Sequence, residues 1–345
     1  MGCDVMILFI LVFLTAFAIS IALTPIIKKL AFKINAVDVP KDERRIHNKP
    51  IPRIGGVAIY IAFIAGILIY STLDRHVYGI IIGSTIIFIG GFIDDLKNLK
   101  PKYKLFFQIA AALVLIFFDV NVKFLTIPFA ANGESLYIGY IGTAITFLWV
   151  VGITNALNLI DGLDGLATGV CFISAISLFF VSLISGRSIA VIMTLVLSGA
   201  CLGFLPYNFN PASIFLGDSG AQLLGFLLAA ISIQGAIKSA AAFAIAVPII
   251  ALGIPIYDTL FAMIRRKINN RPISEADRGH FHHRLLDMGL NQKQVVLIMY
   301  SVSIVFGIVS VLAMLLTAKK SFALLIIIFA VTLSFAIEFG LLSKK

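Results

Sequence analysis

Five aspartates stand where apolar stretches give way to polar ones, and chemistry could be built on them. Asp94 and Asp95 end one apolar stretch, Asp161 and Asp164 end another, and Asp218 lies in residues 215–220, FLGDSG. Carboxylates at the lip of a membrane helix are costly and mark a candidate functional site. Gathered on one side they would repel one another unless positive charge sat among them, and a divalent cation with oxygen ligands is the usual remedy. Magnesium takes one or two carboxylates and keeps its other positions for water and substrate phosphate. Mg2+ is therefore the expected cofactor, with Mn2+ as the alternative. Asp218 is bracketed by Gly217 and Gly220 and followed by Ser219, a residue suited to capping a helix, an arrangement that can hold one carboxylate fixed at the membrane surface. The competing readings are an ion-pair network with nearby lysines and simple helix capping by Asp161 and Asp164.

Amides and cations surround these acids. Asn155 and Asn158 are three apart on one helical face, and Asp161 and Asp164 repeat that spacing one turn on. Gly162 and Gly165 follow the two carboxylates, where the chain can turn and a ligand can approach the backbone. Residues 277–284, DRGHFHHR, gather three of the five histidines and two arginines. Arg278, His280, His282 and His283 suit phosphate oxygens, and Arg45 and Arg53 in an earlier basic loop join them as candidate substrate-binding groups. Zinc could be held by the histidines, although Arg278 and Arg284 add positive charge against it. Nucleic acid fits poorly, because the basic residues are split among short loops with no aromatic platform between them.

The elements that must position these groups are membrane helices. Hydrophobic residues make up 60% of the chain and charged ones 13%, with a mean hydropathy of +1.05; a soluble domain has about 25% charged residues. The fold class expected is an all-α polytopic membrane protein, one integral membrane domain over 1–345, with a histidine-rich cytoplasmic loop at 265–294 inside it. Eleven transmembrane helices are predicted, near 5–25, 54–73, 77–92, 103–118, 140–157, 166–184, 188–205, 220–232, 239–264, 295–316 and 322–341. Pro248 and Pro255 predict a bend in the ninth. Residues 122–129 and 134–139 are expected to form a small hairpin outside the membrane. The first stretch reads as a retained span and not a signal peptide. Cys3, Cys171 and Cys201 imply neither a disulfide framework nor a metal site.

Charge sets the expected orientation. Most of the 27 lysines and arginines fall in the connections after the first, third and ninth spans and at the C-terminus. Positive-inside bias then puts those connections, and all five acids, on the cytoplasmic face of the membrane, with the N-terminus outside and the C-terminus inside. A secondary transporter would also carry intramembrane acids, but it usually shows two related halves with paired interruptions. Here the acids gather on one face.

Five segments in order resemble the polyprenyl-phosphate N-acetylhexosamine-1-phosphate transferases: residues 50–56 (PIPRIGG), 91–105 (GFIDDLKNLKPKYKL), 155–169 (NALNLIDGLDGLATG), 215–220 (FLGDSG) and 277–285 (DRGHFHHRL). The resemblance implies a cytoplasmic-face active-site cleft in which Asp94 and Asp95 are catalytic and Asp94 is the favoured base for the lipid phosphate. It implies Mg2+ on Asp218, and Asp161 or Asp164 beside Asn155 in the nucleotide pocket. Lys104 is implied near the phosphates, and His280, His282 and His283 as the frame of the cleft. The partners implied are a UDP-sugar donor, undecaprenyl phosphate and the surrounding membrane lipid, with a homodimer as the oligomer to test. HFHH differs from the three adjacent histidines of the phospho-N-acetylmuramoyl-pentapeptide enzymes and resembles the branch that uses UDP-N-acetylglucosamine.

Overall fold

The protein, seen in a computed structural model that describes residues 3–39, 50–126, 135–237, 246–270 and 279–338, is a bundle of helices. Helix α1 (Cys3–Lys33) is followed by α2 (Gly56–Tyr70), α3 (Arg75–Lys97), α4 (Pro101–Phe117), α5 (Gly139–Ile160), α6 (Leu166–Ile184), α7 (Ser188–Asn208) and α8 (Gly217–Ser232). A π-helical turn at Ile233–Ile237 extends α8, and then come α9 (Ala246–Ala251), α10 (Gly253–Ile268), α11 (Phe281–Asp287), α12 (Gln292–Met314) and α13 (Ala318–Glu338). Strand β1 (Val37–Asp38) pairs antiparallel with β2 (Ile51–Pro52), and β3 (Phe124–Thr126) with β4 (Ser135–Tyr137). The second pair matches the strands of the expected outer hairpin. Residues 127–134 between them lie outside the described residues.

The expectation of eleven spans is corrected. Among the described residues seven helices are long and apolar enough to cross a membrane: α1, α3, α5, α6, α7, α12 and most of α13. The second, fourth and eighth expected spans are helices of 15, 17 and 16 residues. At about 1.5 Å rise per residue these fall short of the roughly 20 residues that a hydrocarbon core takes. Hydropathy counts apolar length without knowing what the apolar face meets. In α8 every residue from Ser219 to Ser232 is buried, so its continuous apolarity serves protein neighbours on all sides and not lipid. The bent ninth helix is corrected too. Of the expected span 239–264, residues up to 245 lie outside the described residues, and the rest is two short helices, α9 and α10, meeting at Leu252. Pro255 is the third residue of α10, where a backbone N–H would have no intrahelical partner in any case. The proline begins a new helix and does not bend an old one.

Helix α8 is the axis of the bundle, packed against α2, α3, α5 and α6, while α7 packs against α1, α2 and α6. Two glycines allow the closest approaches to the start of α8. A Cβ on Gly56 would lie 2.2 Å from the Gly220 amide nitrogen, and one on Gly91 would lie 2.5 Å from Ser219 Cα. Backbone cannot give way as a flexible side chain can. Thus α3 meets the first turn of α8 with no side chain between them, one turn before Asp94.

Gly91→Ala is therefore expected to lower the thermal unfolding temperature of the detergent-solubilised protein, by an overpacking cost of ~1–3 kcal/mol. Gly152→Ala, with nothing within 4 Å of the new Cβ, is expected to raise it by the ~0.5–1 kcal/mol that alanine gains over glycine inside a helix. Melting curves that rank the two the other way would contradict the close α3–α8 crossing.

Candidate active site

The site begins with a cap that α8 does not supply for itself. Its second and third amides, Asp218 N and Ser219 N, donate to the two carboxylate oxygens of Asp95 at 2.8 and 3.1 Å. Asp95 sits in the last turn of α3 and is buried. An anionic oxygen at a helix N-terminus satisfies orphan donors and the dipole together. The end of α3 is held in turn by Arg53, whose guanidinium donates to the carbonyls of Asp95 and Asp94 at 2.5 and 3.1 Å and to Asn98 Oδ1 at 2.9 Å. The strand before α2 is fastened to the segment before α8, with Phe215 N donating to Pro52 O at 2.7 Å and Gly55 N to Phe215 O at 3.0 Å.

These constraints bring Asp94 and Asp218 side by side. Lys104 Nζ, from the first turn of α4, lies 2.5 Å from Asp94 Oδ2 and 3.0 Å from Asp218 Oδ1. Asn158 Nδ2 donates to the same Asp218 oxygen at 2.9 Å, and Leu99 N to Asp94 Oδ1 at 2.5 Å. The Asp94 side chain is 3% exposed and that of Asp218 is 31% exposed, so Asp218 is the carboxylate that opens to solvent. Burial alone would raise the Asp218 carboxyl. The Lys104 ammonium, with hydrogen bonds from Asn158 and Lys104, holds it below the usual carboxylate range. Asp218 therefore stays ionised. Two adjacent carboxylates, one of them open, match the number and hardness of ligands that Mg2+ takes from a protein; among the described residues no three His, Cys, Asp or Glu side chains converge as a metal cage.

The open side of Asp218 faces a cleft of about 990 Å³ lined by Lys28, Arg53, Asp95, Asn158, Asp161, Asp164, Asn210, Phe215 and Gln292 among others. Asp161 is the C-cap of α5. Burial first, and then the charges of Asp218, Asp95 and Asp164, push its carboxyl well above the usual range. Asp164 has a different task. Its Oδ2 accepts from Asn210 Nδ2 and Ala212 N, both at 3.0 Å, and Asn210 also donates to Gln292 Oε1 at 2.6 Å. Asp164 thereby pins the segment that leads from α7 to Asp218.

Other predicted residues fall elsewhere. Asn155 is not on the cleft wall. It joins an amide cluster, donating to Gln108 Oε1 at 2.7 Å while Gln108 Nε2 reaches Gln222 Oε1 at 3.2 Å. His280 pairs with Asp258 of α10 at 2.8 Å, His282 is buried, and the His283 ring lies 4.3 Å from that of His282. Arg45 and Arg278 lie outside the described residues. The sequence reading missed Asn210, Gln108, Gln222 and Asp258. The last had a signal: it is an acid inside an expected span, which by default calls for a partner.

Asp161 gives a sign-definite expectation. A carboxyl whose pKa is higher folded than unfolded stabilises the fold only when protonated, so its cost grows as pH rises above the ordinary value of 3.8. With chelator present and no substrate, Asp161→Asn is expected to raise the unfolding temperature at pH 7 to 8, and the gain is expected to vanish as pH falls toward 4. A gain independent of pH would remove the charge-burial account of Asp161.

The profile of Glycosyl transferase family 4 matches residues 77–236, a span that runs from α3 to α8 and contains all five acids and Lys104. Over 343 residues the chain is 38% identical to the probable undecaprenyl-phosphate N-acetylglucosaminyl 1-phosphate transferase of Bacillus subtilis, covering 99% of this chain and 94% of that protein. It is 36% identical to the decaprenyl-phosphate N-acetylglucosaminephosphotransferase of Mycobacterium tuberculosis, over 84% of this chain and 78% of that one. Identity to a phospho-N-acetylmuramoyl-pentapeptide-transferase of Staphylococcus saprophyticus is 30%, over 88% and 98%. With a likeness that runs the length of the molecule and a family profile that spans its acid cluster, the chain belongs to the polyprenyl-phosphate N-acetylhexosamine-1-phosphate transferases.

Proposed function

We propose that the chain transfers N-acetylglucosamine 1-phosphate from UDP-N-acetylglucosamine to undecaprenyl phosphate, forming the lipid-linked pyrophosphoryl sugar and releasing UMP. Transfer of an N-acetylhexosamine 1-phosphate from a UDP-sugar to a polyprenyl phosphate is the reaction of its family. The observation that carries the reading here is the junction of Asp94 and Lys104 with Asp218 and Asn158, the last two of which line one cleft. The sugar is supported by relatives named for N-acetylglucosamine at 38% and 36% identity, against 30% for the pentapeptide enzyme. The cleft lies at the end of the bundle that carries Lys28, Lys97, Lys100 and Lys102, which supports a cytoplasmic-facing site.

In this mechanism an oxygen of the lipid phosphate attacks the β-phosphorus of the donor, and the bond from that phosphorus to the bridging oxygen breaks, its electron pair leaving with UMP. Mg2+ held by Asp218, with Asp94 beside it, would offset pyrophosphate charge and polarise the breaking bond. Lys104 adds a fixed positive charge that touches both carboxylates. Asn158 orients Asp218. The second ionisation of a phosphate monoester lies near pH ~6, so at neutral pH little proton remains for a base to take. Asp94, with one oxygen on Leu99 N and the other on Lys104, is accordingly assigned to orienting charge, and positioning is the larger contribution. Asp161 lines the donor side of the cleft.

Radiolabelled UDP-N-acetylglucosamine and undecaprenyl phosphate, given to the purified protein, are expected to yield labelled lipid and UMP in equal amounts. Release of UDP, or uptake of donor into proteoliposomes without lipid product, would contradict the reaction. Asp218→Ala is expected to abolish turnover, by ~10³-fold or more, with the unfolding temperature retained; magnesium-dependent turnover by the folded variant would remove Asp218 as metal ligand.

The acid pair should separate. Asp94→Asn is expected to lower kcat by ~10²-fold or more with little change in donor binding or stability. Asp95→Asn is expected to lose ~0.5–2 kcal/mol of stability as well, because one α8 amide loses its anionic acceptor. Equal stability of the two variants in thermal melts would contradict the division of labour.

A further inference from the structure

The buried pair Asp258 and His280 lies off the cleft and is not used by the chemistry above. Asp258 sits in the middle of α10, its side chain 4% exposed, and its two oxygens have separate partners. Oδ2 faces His280 Nδ1 at 2.8 Å, and Oδ1 accepts from Phe281 N at 2.8 Å. Phe281 N is the first amide of α11, one of the donors that a helix cannot satisfy itself. One carboxylate therefore fixes both where α11 starts and how the His280 ring is turned. An ionised carboxylate can only accept, so His280 Nδ1 must carry a proton. A second tie holds the same segment to α10, Arg265 Nη1 donating to Gly279 O at 2.8 Å.

From His280 the contacts run to the cleft. Its ring is stacked on that of His282, with centroids 5.8 Å apart and planes 10° apart. His282 is 1% exposed, and neither ring nitrogen has a hydrogen-bond partner among the described residues. Burial lowers its pKa to about 4, so the ring is neutral at physiological pH. It rests against the turn between Asp161 and Asp164: a Cβ on Gly162 would lie 2.7 Å from His282 Nε2. Gly162 lines the cleft. A neutral ring with unpartnered nitrogens, pressed on a side-chain-free position of the cleft wall, is a polar group whose place depends on what holds α11.

We propose that Asp258 is a positioning residue for the donor side of the reaction: by holding His280 in the Nδ1-protonated form and capping α11, it seats His282 on Gly162 beside the cleft. This rests on reading the cleft as the UDP-sugar site. Asparagine at position 258 separates positioning from bulk packing. An amide has one oxygen and one NH2 group; Phe281 N can only donate and so must keep the oxygen, leaving the NH2 to face His280. The His280 ring must then accept at Nδ1 and move its proton to Nε2.

The test uses the full chain in lipid nanodiscs, with each substrate varied separately and with 15N-labelled histidine for NMR, His280 being assigned by His280→Gln. In the wild type, Nδ1 of His280 is expected to be protonated. In Asp258→Asn it is expected to lose that proton, with KM for UDP-N-acetylglucosamine raised ~10–100-fold, the range seen when a residue that orients a ligand is lost, and KM for undecaprenyl phosphate within about 2-fold. Gly162→Ala is expected to give the same donor-side defect, and the double variant no more than the larger single one. A bare Nδ1 in the wild type, or donor kinetics of folded Asp258→Asn equal to wild type, would overturn the proposal; if Asp258→Asn does not fold, the wild-type spectrum and Gly162→Ala decide it alone. Failure of the wild type to make lipid-linked sugar would instead overturn the functional reading.

Discussion

The carboxylate of Asp95 accepting the second and third amides of α8 is the interaction on which the site depends. A helix N-terminus placed inside a bundle leaves donors that water cannot reach, and leaving such groups bare costs ~1–3 kcal/mol apiece. Asp95 satisfies two of them with one carboxyl group. In doing so it fixes the distance between the end of α3 and the start of α8, and the preceding residue of α3, Asp94, is carried to the residue whose amide is being capped, Asp218. Gly91 and Gly56 permit this by removing the side chains that would hold the backbones apart. Arg53 then fastens the last carbonyls of α3 from outside.

With that clamp in place the five aspartates cease to be equivalent. Asp95 is spent on α8, and Asp164 on the segment that carries Asn210 and Ala212. Asp94 and Asp218 share Lys104, and Asp218 alone of that pair is substantially open. Among the described residues Asp161 has no cation beside it, and its neutral form is favoured. Repulsion among like charges is thus resolved by giving each carboxylate a different partner, which leaves the open one available for a cation and phosphates.

Much of this was legible in the sequence, because the acids sit where apolar runs end and only chemistry or capping explains a carboxylate there. Glycines around Asp218 announced a special backbone, and Gly217 does adopt a positive φ of 75°. What could not be read was which acid caps α8 and which lies beside Asp218: Asp94 and Asp95 are adjacent in sequence, and only the direction of α8 tells them apart. Asn155 and Asn158 look alike in spacing, yet one meets Asp218 and the other meets Gln108. The span count failed for a related reason, since hydropathy cannot distinguish a helix apolar toward lipid from α8, apolar toward its neighbours. Asp258 was overlooked because its partner, His280, is 22 residues away in a different segment.

The central proposal is that the α3–α8 clamp builds one divalent-cation site, open to the donor pyrophosphate, from Asp218 and its neighbour Asp94. Electron paramagnetic resonance of Mn2+ added to the full chain with UDP-N-acetylglucosamine tests it most directly. The account predicts one bound ion per chain with 31P hyperfine coupling from the donor, retained in Asp161→Asn and lost in Asp218→Asn. Bound Mn2+ with the same 31P coupling in Asp218→Asn, or full turnover in chelator with no bound ion, would contradict it.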